Sequence, residues 1–189
     1  MTKDKKEKRN KSLDFRRDNR SLTQFKKDIK LNTVKEEFLM NLLTKELKHR
    51  GYDNIAFIDN GVNNAGEFIE GATGCKPDYL LFINDDKHLV EIKNSGSPNK
   101  CTFKVYHLQQ YVKQGAHIIL FYGTGFISKD PSKINYRETR WAILTPGDIQ
   151  KMLDELTPYN DRYFGGKLCV QILKKDFSKF WEEHKIESH

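Results

Sequence analysis

The run His117-Ile118-Ile119-Leu120-Phe121-Tyr122 constrains the fold most. A strand on a half-solvated sheet alternates apolar and polar residues, and this one has no polar face to offer water. It must be covered on both sides, as in sheets packed between helices. Helical patterns lie on either side of it in the chain. Residues 104–114 (KVYHLQQYVKQ) read as a helix closed by Gly115. Residues 33–49 (TVKEEFLMNLLTKELKH) read as an amphipathic helix stopped by Gly51, with Thr33 and Glu36 at the spacing of a capping box. Between the two helices, Ile55–Ile58 suggests a short strand before a polar loop (59–66), while residues 67–76 fit a strand or a loop. Tyr79–Ile83 and His88–Ile92 form a hairpin pattern around residues 84–87. Trp141–Leu144 suggests a further strand, Pro146–Glu155 a helix with proline in its first turn, and residues 176–186 a C-terminal helix. The expectation is one α/β domain with a mixed central sheet flanked by helices.

Charge divides the chain of 189 residues unevenly. Residues 1–30 carry twelve Lys/Arg against five acids. The remaining residues hold 21 of each, so the formal charge of +7 belongs wholly to the N-terminal segment. This predicts a basic, flexible arm over residues 1–30 and a folded domain over residues 31–189. Lys5, Lys6, Arg9, Lys11, Arg16, Arg17 and Arg20 suit phosphate contacts, which release counterions and add affinity without reading sequence. A solubilising tail is the competing role. No run of about 18 apolar residues predicts a membrane span, and the charged start is unlike a secretory signal. Three cysteines, Cys75, Cys101 and Cys169, lack CxxC spacing and predict a reducing compartment, hence a cytoplasmic or other intracellular protein. The Lys- and Asn-rich composition fits a phage, a virus or a low-GC bacterium.

The hairpin carries the chemistry. If its turn centres on Asp85-Asp86, partner numbers sum to 171, placing Asp78 opposite Lys93 and Leu80 opposite Glu91. Alternation then projects Asp78, Glu91 and Lys93 from one face, while Val90 and Ile92 point into packing. Asp78 and Glu91 become diagonal neighbours within reach of one cation. Two close carboxylates repel each other and favour a shared divalent ion, and oxygen ligands suit Mg²⁺, with Mn²⁺ able to replace it. The Ile92 carbonyl lies between acid and lysine and is a further candidate ligand. A lysine beside a metal-bound water would hold or activate it and offset charge on a phosphate in transition. An exposed hairpin with an ordinary Glu-Lys pair is the competing reading.

Pro77-Asp78 followed by Glu91-Ile92-Lys93, within a helix–sheet–helix–strand order over about residues 33–145, resembles the PD-(D/E)XK nuclease superfamily. The resemblance implies a restriction-endonuclease-like fold, with Asp78 and Glu91 as metal ligands and Lys93 as the catalytic lysine. Many members add a Glu from the first helix. Counting 100° per residue from Val34, the apolar residues of that helix span roughly 0–220°. Glu36 at 200° falls inside this arc and Glu37 at 300° outside, so Glu36 is the expected extra acid, with Glu67 and Glu70 as substitutes and capping as its competing role. Members also often place a Gln on the second helix, and His107-Leu108-Gln109 is similar to the Holliday-junction-resolvase version. Gln109 is therefore the expected catalytic amide, with Lys100, Lys104 and Lys113 flanking it as nucleic-acid contacts. The implied activity is an Mg²⁺-dependent endonuclease acting on DNA, compatible with a homodimer where two strands are cut. The alternatives are a non-catalytic nucleic-acid-binding or assembly protein of the same fold, and an RNA endonuclease.

Overall fold

The computed structural model describes residues 22–60, 76–123 and 133–187, of which residues 22–33 and Tyr136 are described by their backbone alone. The arm residues Lys5 to Arg20, the substitute acids Glu67 and Glu70, and Cys75 lie outside them. Helix α1 (Leu22–His49) leads into strand β1 (Ile55–Asp59), then β2 (Tyr79–Ile83), β3 (Asp86–Ser95) and β4 (Lys100–Lys104). Helix α2 (Val105–Gln114), β5 (His117–Tyr122), β6 (Arg140–Leu144), helix α3 (Pro146–Glu155), β7 (Tyr159–Asp161), β8 (Lys167–Leu173) and β9 (His184–Lys185) follow.

Six strands form the main sheet in the order β1-β2-β3-β5-β6-β9, with β3 and β5 parallel and every other neighbour antiparallel. The fold is a mixed α/β arrangement, its sheet flanked by helices. The β3-α2-β5 crossover explains the parallel pair, since two parallel strands need a long connection. β5 is buried on both faces, as its uninterrupted apolar sequence requires. Ile119 and Phe121 join Leu39, Met40 and Leu43 of α1 in one core, together with Tyr79, Leu81, Val90 and Ile92. Ile118, Leu120 and Tyr122 join Leu108 and Tyr111 of α2 and Ile149 and Met152 of α3 in the other. Helix α3 matches its expected limits, and Thr145 and Asp148 cap it reciprocally before Pro146.

Four expectations need correction. Helix α1 is continuous from Leu22, so Thr33 occupies an interior position rather than the N-cap, and the expected arm boundary at residue 30 falls inside a helix. The hairpin turn is Asn84-Asp85, with Asn84 at φ 55, and partner numbers sum to 169 (Tyr79 opposite Val90) rather than 171. Asn tolerates this left-handed conformation better than other side chains, and that tolerance fixes the turn. A second sheet, β4-β8-β7, went unforeseen, because Lys100-Cys101-Thr102-Phe103-Lys104 is too short and polar to stand out before α2. The C-terminal helix is absent: a 3₁₀ turn (Lys174–Lys179) is followed by extended chain. Phe177 is buried within that turn, and Phe180 and Trp181 are buried just beyond it. Beyond Trp181 only Ile186 is apolar, and His184–Lys185 pairs with Arg140–Trp141 instead.

Candidate active site

The two-residue correction in register leaves side-chain parity intact. Continued by one pair, the observed register sets Asp78 directly opposite Glu91. Directly opposed side chains stand closer than diagonal ones, so the two acids are nearer than the sequence suggested. Strand β3 outruns β2: its pairing with β2 ends at Val90, while its pairing with β5 continues to Ser95. The bare edge is partly satisfied by Asp78, whose Oδ2 accepts a hydrogen bond from the Ile92 backbone N–H at 3.2 Å. In an extended strand a residue's N–H and C=O point to the same side, so the Ile92 carbonyl faces the same gap.

Glu91 is nearly buried, with 6% of its side chain exposed, and is ion-paired to Lys93, which retains 36%. The Lys93 ammonium also lies 5.8 Å from the Tyr111 ring centre on α2. Glu36 reaches the same site from α1, close enough for its charge to act on Asp78 and Lys93. It faces inward while Glu37 is exposed, as the helical count predicts. The charges of three acids thus act on one another here. Burial, followed by repulsion from Glu91, raises the Asp78 carboxyl to about 8 against the pull of Lys93. Burial raises Glu36 to about 7, with Lys93 opposing and Glu91 adding to the rise. Burial alone would lower Lys93, but the Glu91 and Asp78 charges outweigh it and hold the ammonium above its ordinary range.

Sequence reasoning missed two groups. Lys35, 5% exposed, donates from Nζ to Asn94 Oδ1 at 3.0 Å and ties α1 to the bare edge of β3 beside Glu36. Its signal was its position at 100° on the helical count, inside the apolar arc where no lysine belongs without a partner. His107 is the second. It packs edge-on against Tyr111, and burial with nearby Lys104 and Lys93 lowers it to about 4. Gln109 lies 200° around α2 from His107. It is exposed and lines a neighbouring cleft of about 380 Å³ with Lys104, Tyr106 and Lys167. The residues of α2 that face Lys93 are therefore His107 and Tyr111. Lys100 and Lys104 do line clefts that Lys93 also lines, whereas Lys113 is exposed on α2 and lines neither of them.

The donor set was tested against a divalent ion. Among the described residues, no three His, Cys, Asp or Glu side chains already stand close enough to enclose a metal. Asp78, Glu91, Glu36 and the Ile92 carbonyl nevertheless offer only oxygen. Burial, reinforced by neighbouring carboxylates, raises two of these acids toward neutral pH. Such a set fits a hard ion that keeps part of its water shell, as Mg²⁺ does. Neither a protein-family model nor any curated protein matches this chain.

Proposed function

We propose that this chain is a divalent-metal-dependent nuclease of the PD-(D/E)XK type that hydrolyses phosphodiester bonds in DNA. The observation that carries the reading is the convergence of Asp78, Glu91 and Lys93 on one face of the β3 edge, with Glu36 arriving from α1. Asp78, Glu91 and the Ile92 carbonyl would hold Mg²⁺, with Glu36 completing the set through water. When bound, such an ion polarises a phosphoryl oxygen and makes a coordinated water acidic. Lys93 supplies the remaining chemistry. Its raised pKa keeps it charged at neutral pH, so it donates hydrogen bonds to the attacking water and offsets negative charge on the phosphate. Asp78 is fixed by the Ile92 N–H, and burial of Glu91 keeps competing water away. His107, neutral at pH 7, adds no charge to this wall.

The Lys93–Glu91 ion pair favours a second reading, a nucleic-acid-binding protein whose acids serve structure alone. One experiment separates the two. With Mg²⁺ and labelled DNA, Lys93→Ala should bind as wild type yet cleave roughly a hundredfold or more slowly, the scale of a lost donor that stabilises transition-state charge. Asp78→Ala should abolish metal-dependent cleavage. Cleavage that survives EDTA or Asp78→Ala refutes the nuclease reading, and parallel DNA and RNA substrates decide the sugar.

A further inference from the structure

Away from the acids, exposed apolar side chains gather on the small sheet. Among the described residues, nine large hydrophobic side chains are highly exposed, and five of them (Tyr159, Tyr163, Phe164, Leu168 and Leu173) fall within residues 159–173. Single exposed side chains are ordinary, and Leu168 and Leu173, five residues apart on β8, face opposite sides of the small sheet, but Tyr163 and Phe164 are adjacent and line one cleft. Two of these rings stand on a tip built to be rigid, the 3₁₀ turn Arg162–Phe164 joining β7 to β8. Asp161 Oδ1 accepts from the Tyr163 N–H at 2.7 Å, and its Oδ2 accepts from the Tyr159 hydroxyl at 2.8 Å. Gly165 (φ 66) and Gly166 (φ 74) close the turn, their N–H groups bonding Arg162 O at 3.2 Å and Asp161 O at 2.8 Å. Two successive left-handed residues are tolerated there because both are glycine. Tyr163 is nevertheless 77% exposed, an aromatic ring held firmly in water.

The tip borders the candidate active site. A cleft of about 270 Å³ has Lys93 and Lys100 among its walls together with Asp161, Tyr163 and Phe164. An adjoining cleft of about 220 Å³ shares Lys93 and Phe164 and adds Lys104. Cations sit on the rings themselves: the Arg162 guanidinium lies 4.9 Å from the Tyr163 ring centre, and the Lys104 ammonium 5.3 Å from that of Phe164. Asp161, the acid in this wall, already accepts hydrogen bonds within the turn. Aromatic planes with interleaved cations, continuous with a phosphate-handling lysine, match the chemistry of an unpaired nucleotide: a flat base to stack and a phosphate to neutralise. A duplex hides its base planes and presents chiefly phosphates to such a wall. A purely apolar protein partner would leave the flanking cations unmatched.

We propose that the Arg162–Phe164 tip is a stacking platform for an unpaired base of single-stranded DNA, placing single-stranded nucleotides beside the scissile phosphate. The proposal rests on the nuclease reading for the role of that phosphate, but its test does not. The full chain is titrated, in EDTA, into a short thymidine oligomer carrying one 2-aminopurine, whose fluorescence falls on stacking. Quenching is expected, with tighter binding of the single strand than of the matched duplex. Tyr163→Ala and Phe164→Ala should each weaken binding roughly fivefold or more and reduce the quench, as expected for loss of one base–aromatic stack. Tyr163→Trp should retain both. Circular dichroism melts establish that the variants fold. Equal affinity for duplex, an unaltered quench in both alanine variants, or tighter binding of the corresponding RNA oligomer would overturn the assignment to single-stranded DNA. So would a dimer in sedimentation that Tyr163→Ala converts to monomer, since the tip would then be a contact between copies. Quenching without any Mg²⁺-dependent cleavage would instead sink the nuclease reading and leave the platform standing.

Discussion

Replacing Asp78 with asparagine should stabilise the metal-free protein while abolishing the metal-dependent cleavage proposed for it. The carboxyl is raised from 3.8 to about 8 by burial and by Glu91, so between those values the folded chain holds a proton that the unfolded chain has released. Stability therefore falls as pH rises through this window and is fully retained only below about pH 4. A rise of roughly four pH units corresponds to about 5 kcal/mol at the upper limit. Water at the strand edge screens the charge, which leaves about 2–3 kcal/mol near pH 8. Asparagine keeps an oxygen for the Ile92 N–H and removes the charge. Urea unfolding in EDTA measures the effect at pH 6 and pH 8. The lowered pKa values of His107, His117 and His184 act in the opposite sense below about 6.5, but they are common to both proteins and cancel in the difference. Asp78→Asn should gain on wild type as pH rises, and saturating Mg²⁺ should restore wild type alone, by about 2.7 kcal/mol at a hundred times its dissociation constant. An asparagine variant no more stable than wild type at pH 8 would refute the account of strained carboxylates.

Three further outcomes follow from the same geometry. Glu36→Gln should reduce Mg²⁺ affinity by roughly tenfold or more, as loss of an outer ligand does, while Glu37→Gln, on the exposed face, should leave calorimetric binding unchanged. Lys35→Ala removes a buried stem and its bond to Asn94, and should cost about 1–3 kcal/mol in urea unfolding. Gly123→Ala would place a methyl 2.2 Å from the Glu138 carbonyl oxygen at φ 126, a clash that no side-chain movement relieves. It should lower the melting temperature by more than about 2–4 °C, the shift of about 1 kcal/mol in a chain of this size.

What could be read from the sequence was parity and period. Asp78, Glu91 and Lys93 share a face whether partner numbers sum to 171 or 169, because only an odd slip turns a side chain over. The unbroken apolarity of His117–Tyr122 likewise required two covering layers, and α1 and α2 with α3 supply them. Glu36 was legible because a helical angle does not depend on where the helix begins. Its beginning was passed over, since Leu22, Phe25 and Ile29 keep helical spacing but stand among Lys26, Lys27, Asp28 and Lys30 in the basic run. Gln109 misled because likeness to a motif carries no angle; the angle belongs to His107 and Tyr111. The small sheet escaped notice because its strands pair across some seventy residues, β4 with β8, and each is short.

The length of α1 sets a distance. Glu36 sits fourteen residues beyond Leu22, which at about 1.5 Å per residue is roughly 21 Å along the axis. The chain before Leu22 therefore meets the helix about that far from Glu36, while Lys26, Lys27 and Lys30 lie on the helix in between. On a nucleic acid, that spacing corresponds to about six nucleotide steps of 3.4 Å. Charge anchored there would grip the ligand upstream and set its footprint, leaving the reacting phosphate to the lysines of the clefts.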